Sequence, residues 1–236
     1  MSPSFAFQPA NPFSTENTAP NRVSFRFSAG RSGSDKRVLD SQLEGLVAKL
    51  QQNRRSLIVG PHGTGKSTLL HTFLPKLQQT FPKVAFHQLA RDRSLGFVGR
   101  LRYRVDASKR VRRDLYELPS NGLLIIDGWE QLGRIARWRI AQSAFGQKLT
   151  LLVTTHQRIS GWSVLYETKA SAEMVRSLAG DLLQDSPHKV KKLVDEKLRT
   201  TRMLPNTNIR ELWFSLYDAV QDHHDQARSS RSETVG

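Results

Sequence analysis

Residues Gly60-Pro61-His62-Gly63-Thr64-Gly65-Lys66-Ser67-Thr68 carry three glycines, one ammonium and three hydroxyls in the spacing G-x-x-x-x-G-K-[ST]. That pattern is suited to gripping a polyphosphate. Triphosphate is a dense anion, held best by backbone N–H groups at the positive end of a helix dipole. Without Cβ atoms, Gly60, Gly63 and Gly65 let the main chain approach phosphate oxygens closely. Lys66 would reach the β- and γ-phosphates, the Ser67 hydroxyl would be a ligand of Mg²⁺, and Thr68 adds a hydroxyl near the α-phosphate. The expected ligand is ATP with Mg²⁺; the bland alternative is an ordinary glycine-rich turn.

Such a loop works only between a buried strand and a helix N-terminus. The apolar Ser56-Leu57-Ile58-Val59 enters it and Leu69-Leu70-His71-Thr72-Phe73 leaves it, as the mechanism requires. The helix is expected over about 66–79, with Pro75 as a site for a kink, and a strand over 84–89. Asn121-Gly122 turns the chain into Leu123-Leu124-Ile125-Ile126-Asp127, an apolar run typical of a parallel strand covered on both faces. A helix over 135–145, a buried strand over 149–155 and a short strand at 164–166 follow. In front lies an amphipathic helix from Asp35, with Leu39, Leu43, Leu46, Val47 and Leu50 at helical spacing behind a cap at Ser34. Strands alternating with helices predict a three-layer αβα fold around a parallel sheet. From Ser171 onward three apolar stripes predict a small helical bundle. The expected organisation is an extended N-terminal arm (1–34) pinned in places by its phenylalanines, an α/β core (35–168), a helical unit (169–221) and a flexible polar tail (222–236).

Asp127 ends four consecutive apolar residues, which places it at the carboxyl edge of the sheet where ligands bind in open α/β folds. It could hold the Mg²⁺ hydration shell, an arrangement that resembles the Walker B motif. By itself a strand-ending Asp is also a common turn former. Many ATPases with this arrangement place a catalytic Glu next, but here the residue is Gly128. Glu130, three positions past Asp127, could orient an attacking water, or could simply favour a helix N-terminus as a carboxylate.

The Leu-Leu-Val-Thr-Thr-His run ending at His156 resembles the sensor-1 strand of AAA+ and STAND ATPases, with the spacing from Asp127 closer to the short STAND version. STAND proteins commonly read Thr-Thr-Arg there, so His156 is a departure. Thr154, Thr155 and His156 could each touch γ-phosphate or water, or merely cap a strand end. Asn208-Ile209-Arg210-Glu211-Leu212 resembles the sensor-2 sequence of AAA+ lids, which implies that Arg210 turns its fork of donors to the nucleotide. The resemblance spans about residues 35–221 and implies a P-loop NTPase core with a helical lid. Pro61 and His156 also occur in the ABC pattern, but an ABC signature sequence is absent. No guanine-reading Asn-Lys-x-Asp segment appears, so adenine is the expected base.

The 236 residues suffice for one α/β domain with an appendage. The absence of cysteine excludes disulfides, thiolate metal sites and cysteine nucleophiles, and fits a reducing compartment. No apolar run approaches the roughly 18 residues of a spanning helix, and the N-terminus lacks an apolar signal core, so a cytoplasmic protein without a membrane span is expected. The net charge of +15, from 36 Lys and Arg against 21 acids, favours polyanionic company. Nine of those bases lie within 91–113, where Tyr103 is flanked by Arg102 and Arg104. Such a segment could bind nucleic acid, or be a solvated face. Arg134, Arg137 and Arg139 include candidates for an arginine finger in a homo-oligomer. The residues therefore admit an ATPase that couples nucleotide state to a protein partner, a nucleotide-gated module that may not hydrolyse, and a small-molecule phosphotransferase.

Overall fold

The computed structural model describes residues 11–27, 36–89, 94 and 96–233. The chain divides into two compact units: residues 24–169, and the described parts of 1–23 and 170–236.

The first unit is built on five strands, β1 (Arg55–Val59), β2 (Val84–Gln88), β3 (Leu123–Asp127), β4 (Thr150–Thr155) and β5 (Ser163–Glu167). All pair in parallel, in the order β2-β3-β4-β1-β5. Around them lie α1 (Lys36–Gln52), α2 (Lys66–Thr80), α3 (Phe97–Glu117) and α4 (Arg134–Gly146). Successive strand residues point to opposite faces. Thus Leu124, Ile126, Leu151 and Val153 pack with Val111 and Leu115 of α3 and Ile140 of α4. Leu123, Ile125 and Leu152 pack on the other face with Leu46 and Leu50 of α1 and Phe73 and Leu77 of α2. Burial on both faces is why the strands read as unbroken apolar runs, and the fold is three-layer α/β.

The second unit holds α5 (Ala172–Leu182), α6 (His188–Thr200) and α7 (Ile209–Glu233). Its core gathers Val175, Leu178, Val194, Leu198, Trp213 and Leu216. Ser171 caps α5 by accepting from the Met174 N–H.

Four local expectations are corrected or completed. The segment read as one arm divides between the two units. Phe13 is buried and stacks on Trp213 at 5.5 Å, whereas Phe25 is buried beside Tyr166 and its N–H donates to the Thr72 hydroxyl. Residues 222–233, read as flexible tail, continue α7; the stretch has no Gly or Pro to stop a helix, and Gln221 bonds Asp225 one turn on. Pro75 lies inside α2 without ending it, because Leu70, Phe73 and Leu77 anchor the helix to the core on both sides. The basic stretch 91–113 is largely the helix α3, docked through Ala107, Val111 and Leu115. Ser34, Arg91, Asp92 and Arg93 lie outside the described residues. Among those described, no helix is long and apolar enough to cross a membrane.

Candidate functional site

The strand order decides which loops meet. β4 lies between β1 and β3, so the end of β4 separates the Gly60–Thr68 loop from Asp127 and the turn that follows it.

The loop is tied to both neighbours of β1. The Gly60 N–H donates to the Thr155 carbonyl at 3.2 Å, and a Cβ on Gly60 would collide with the Thr168 side chain. Thr64 donates its hydroxyl to the Pro61 carbonyl at 2.9 Å and stands 2.7 Å from the Thr168 hydroxyl. Gly65 takes a left-handed φ of 91° at the N-cap of α2 and supplies no side-chain cap. The first helical bond runs from the Leu69 N–H to the Gly65 carbonyl, so the N–H groups of Lys66, Ser67 and Thr68 precede the helical ladder and suit an anion. The Phe25 ring packs over Gly65.

Lys66 is buried, and its Nζ donates to the carbonyls of Gly60 at 2.7 Å and Pro61 at 2.6 Å. His156 Nδ1 lies 3.2 Å away. Burial pulls the Lys66 ammonium down to about 8, against the opposing influence of Glu130 and Asp127.

Asp127 is buried at the end of β3. Its Oδ1 accepts the Thr154 hydroxyl at 2.6 Å, and Gln88 Nε2 donates to Oδ2 at 3.3 Å. The next residue could not be glutamate in this geometry. Gly128 has φ 89°, and a Cβ there would stand 2.6 Å from the Leu89 carbonyl oxygen. The chain instead passes through a 3₁₀ turn, Trp129–Gln131, with Trp129 buried as its anchor. That turn delivers Glu130, whose Oε1 lies 2.8 Å from His156 Nε2. The other oxygen, Oε2, is buried without a hydrogen-bond partner among the described residues. His156 Nδ1 is also 3.2 Å from the Gly60 carbonyl, and its ring packs on His62 at 3.6 Å between centroids.

Lys66, Ser67 and Thr68 at the start of α2, and Asp127 and Glu130 at and after the end of β3, thus lie on either side of the end of β4. Arg210 stands in the other unit, exposed in the first turn of α7, where Asn208 Oδ1 accepts from its N–H. Arg134 and Arg139 are exposed on α4 and Arg137 is partly so. On α3, Arg100, Arg102 and Arg104 are exposed, interleaved with the equally exposed Phe97, Val98, Leu101 and Val105.

Sequence reasoning missed Thr168, Gln88 and the seat of Phe25. Thr168 left no signal in the sequence, because only the pairing of Val59 with Glu167 sets the residue after β5 beside Gly60.

No cluster of three His, Cys, Asp or Glu suited to a metal occurs among the described residues, so the protein alone offers no complete cage. Ser67 and Asp127 carry oxygens of the kind Mg²⁺ takes, and that ion ordinarily completes its shell with water and phosphate oxygens. The residues fit that use.

Among solved structures, the fold is similar to that of a DNA replication initiation factor, at 16% identity over 86% of this chain and 67% of that one, with a TM-score of 0.52. It is likewise similar to AMPPCP-bound DnaA from Aquifex aeolicus, at 15% identity over 86% of this chain and 68% of that one, with a TM-score of 0.50. No protein-family model matches the sequence, and no curated protein matches it. At these identities the likeness concerns the fold alone, a three-layer α/β arrangement around a parallel sheet.

Proposed function

We propose that this chain is a Mg²⁺-dependent ATP-binding protein that hydrolyses ATP and couples nucleotide state to a protein partner or to further copies of itself. The observation that carries the reading is the convergence of an uncapped helix start, a buried ammonium and a buried carboxylate at one edge of the sheet, across the end of β4. Gly60 to Thr68 bind the phosphates, with Lys66 exchanging part of its present bonding for phosphate oxygens. Ser67 and Asp127 hold the metal, which when bound neutralises charge developing on the transferred phosphoryl group. Glu130 orients the attacking water and accepts its proton. Arg210 serves as a phosphate sensor, and residues 169–221 act as the lid its motif resembles. The spacing from Asp127 to His156 favours the STAND-like variety, and the cytoplasm is the expected setting.

Nucleotide binding and phosphate release by wild type and Lys66→Ala, with Mg²⁺ and either ATP or GTP, tests this. Binding and turnover of ATP by wild type and neither by the variant is the expected result. Tight binding without turnover would leave a nucleotide-gated module, acceptor-dependent ADP formation a phosphotransferase, and no binding by wild type would end the proposal. A second reading, nucleic-acid binding through residues 91–113, is favoured by the exposed arginines of α3. It predicts DNA binding that weakens steeply with added salt.

A further inference from the structure

We propose that His156 is a positioning residue that couples phosphate engagement by Lys66 to the orientation of Glu130. The inference rests on the ATPase reading and adds to it a residue whose type departs from the pattern of the resembling families.

The sheet supplies the placement. Since β4 runs between β1 and β3, the residue following Thr155 is set between the phosphate loop and the turn bearing Glu130. The imidazole uses both nitrogens there. Nε2 is 2.8 Å from Glu130 Oε1, and Nδ1 is 3.2 Å from Lys66 Nζ. Nδ1 lies as near the Gly60 carbonyl, 3.2 Å, as it does Lys66, but a proton there would face the ammonium and, in a neutral ring, set the bare Nε2 against the Glu130 carboxylate; the tautomer with its proton on Nε2, in which Nδ1 accepts from Lys66, suits both charged neighbours. That proton is the one Glu130 accepts. One ring therefore holds a cation on one side and a carboxylate on the other, a pairing that the guanidinium of an arginine could not reproduce, having no acceptor.

Each partner is left with one place to change. The three N–H bonds of Lys66 point to the Gly60 carbonyl, the Pro61 carbonyl and His156, so an incoming phosphate oxygen must displace one of them. The His156 contact is the longest and lacks the carbonyl dipole, so it is the first to yield. On Glu130, Oε1 is fixed by His156 while Oε2 is a buried acceptor with no partner. A buried acceptor left unmade is costly, and a water held there would be presented by a carboxylate whose orientation His156 sets. Packing of the ring on His62 at 3.6 Å limits its swing.

The test uses the full chain, with histidine side-chain ¹⁵N NMR in the absence of nucleotide and kinetics in its presence. The spectra are expected to show His156 as the Nε2–H tautomer, with Lys66→Ala moving the Nδ1 resonance and Glu130→Gln moving that of Nε2. A ring indifferent to both substitutions overturns the proposal, whether or not the protein turns out to be an ATPase. In kinetics, Glu130→Gln should lower kcat on the order of 10²-fold. His156→Ala should lower it comparably while ATP affinity stays within about threefold, and the double variant should lose no more than the worse single one, as expected of residues acting as a unit. His156→Gln, which keeps one donor and one acceptor, should recover part of the loss. Wild-type turnover by His156→Ala, or losses that multiply in the double variant, would count against coupling.

Discussion

At the scale of single residues, Lys66 is the group whose protonation decides the site's behaviour. Its burial stabilises the neutral amine, giving a value of about 8 in the folded chain against an ordinary 10.5. Phosphate favours the ammonium, so ATP affinity should be full below about pH 8 and fall as pH rises through it. Calorimetry near pH 8.5 in buffers of different ionisation enthalpy should then record proton uptake on binding. The sign for stability is opposite. Between the folded and unfolded values the unfolded chain binds more protons, so stability gains from Lys66 as pH rises from about 8 to 10.5. Lys66→Met, which removes the titration, should therefore show a melting-temperature advantage over wild type near neutral pH that shrinks toward pH 10. Gly128 makes the neighbouring point about backbone. The left-handed turn and the Leu89 carbonyl leave no space for a side chain, so a carboxylate directly after Asp127 is excluded and the next one along the chain is Glu130.

At the scale of elements, α2 carries a conflict between local preference and tertiary packing. Pro75 has no N–H for the carbonyl one turn back, and proline in a helix interior costs about 3 kcal/mol. Buried Leu69, Leu70, Phe73 and Leu77 hold the helix regardless. Pro75→Ala should raise the free energy of unfolding by roughly 1–3 kcal/mol in urea titration, with ATP affinity unchanged, because the loop lies at the far end of the helix. A fall in stability would mean that α2 is shaped by the proline rather than strained by it. On α3 the arginines hide the helix from a reader of the sequence. Its buried core residues are Ala107, Val111 and Leu115, with Tyr103 packed against the same core one turn earlier, and nothing in the charge pattern announces that spacing.

At the scale of the whole molecule, the chain carries separate cores. The helical unit gathers its apolar side chains around Trp213, Leu216 and Val220, and draws in Phe13 from far along the sequence. Asn11 reinforces this by donating to the Tyr217 carbonyl at 3.0 Å. Phe13→Ala should cost about 3–5 kcal/mol in the unfolding of that unit, seen as a lowered thermal transition in Trp213 fluorescence-sensitive scans. A transition that does not move would mean that Phe13 contributes nothing to the core it is buried in.

The sequence by itself determined the glycine-rich loop between β1 and α2, the strand that ends in Asp127 and the parallel α/β class. Those features are written in local chemistry: glycines, an ammonium and apolar runs whose composition requires burial on both faces. Tertiary structure decided what lies beside what. Only the strand order brings His156 between Lys66 and Glu130, only the pairing of β1 with β5 sets Thr168 against Gly60, and only the packing of two cores parts Phe13 from Phe25. The physical reason is the same in each case. A single chain records its own spacing, but contacts between residues a hundred positions apart follow from the register and order of strands, which no local pattern encodes.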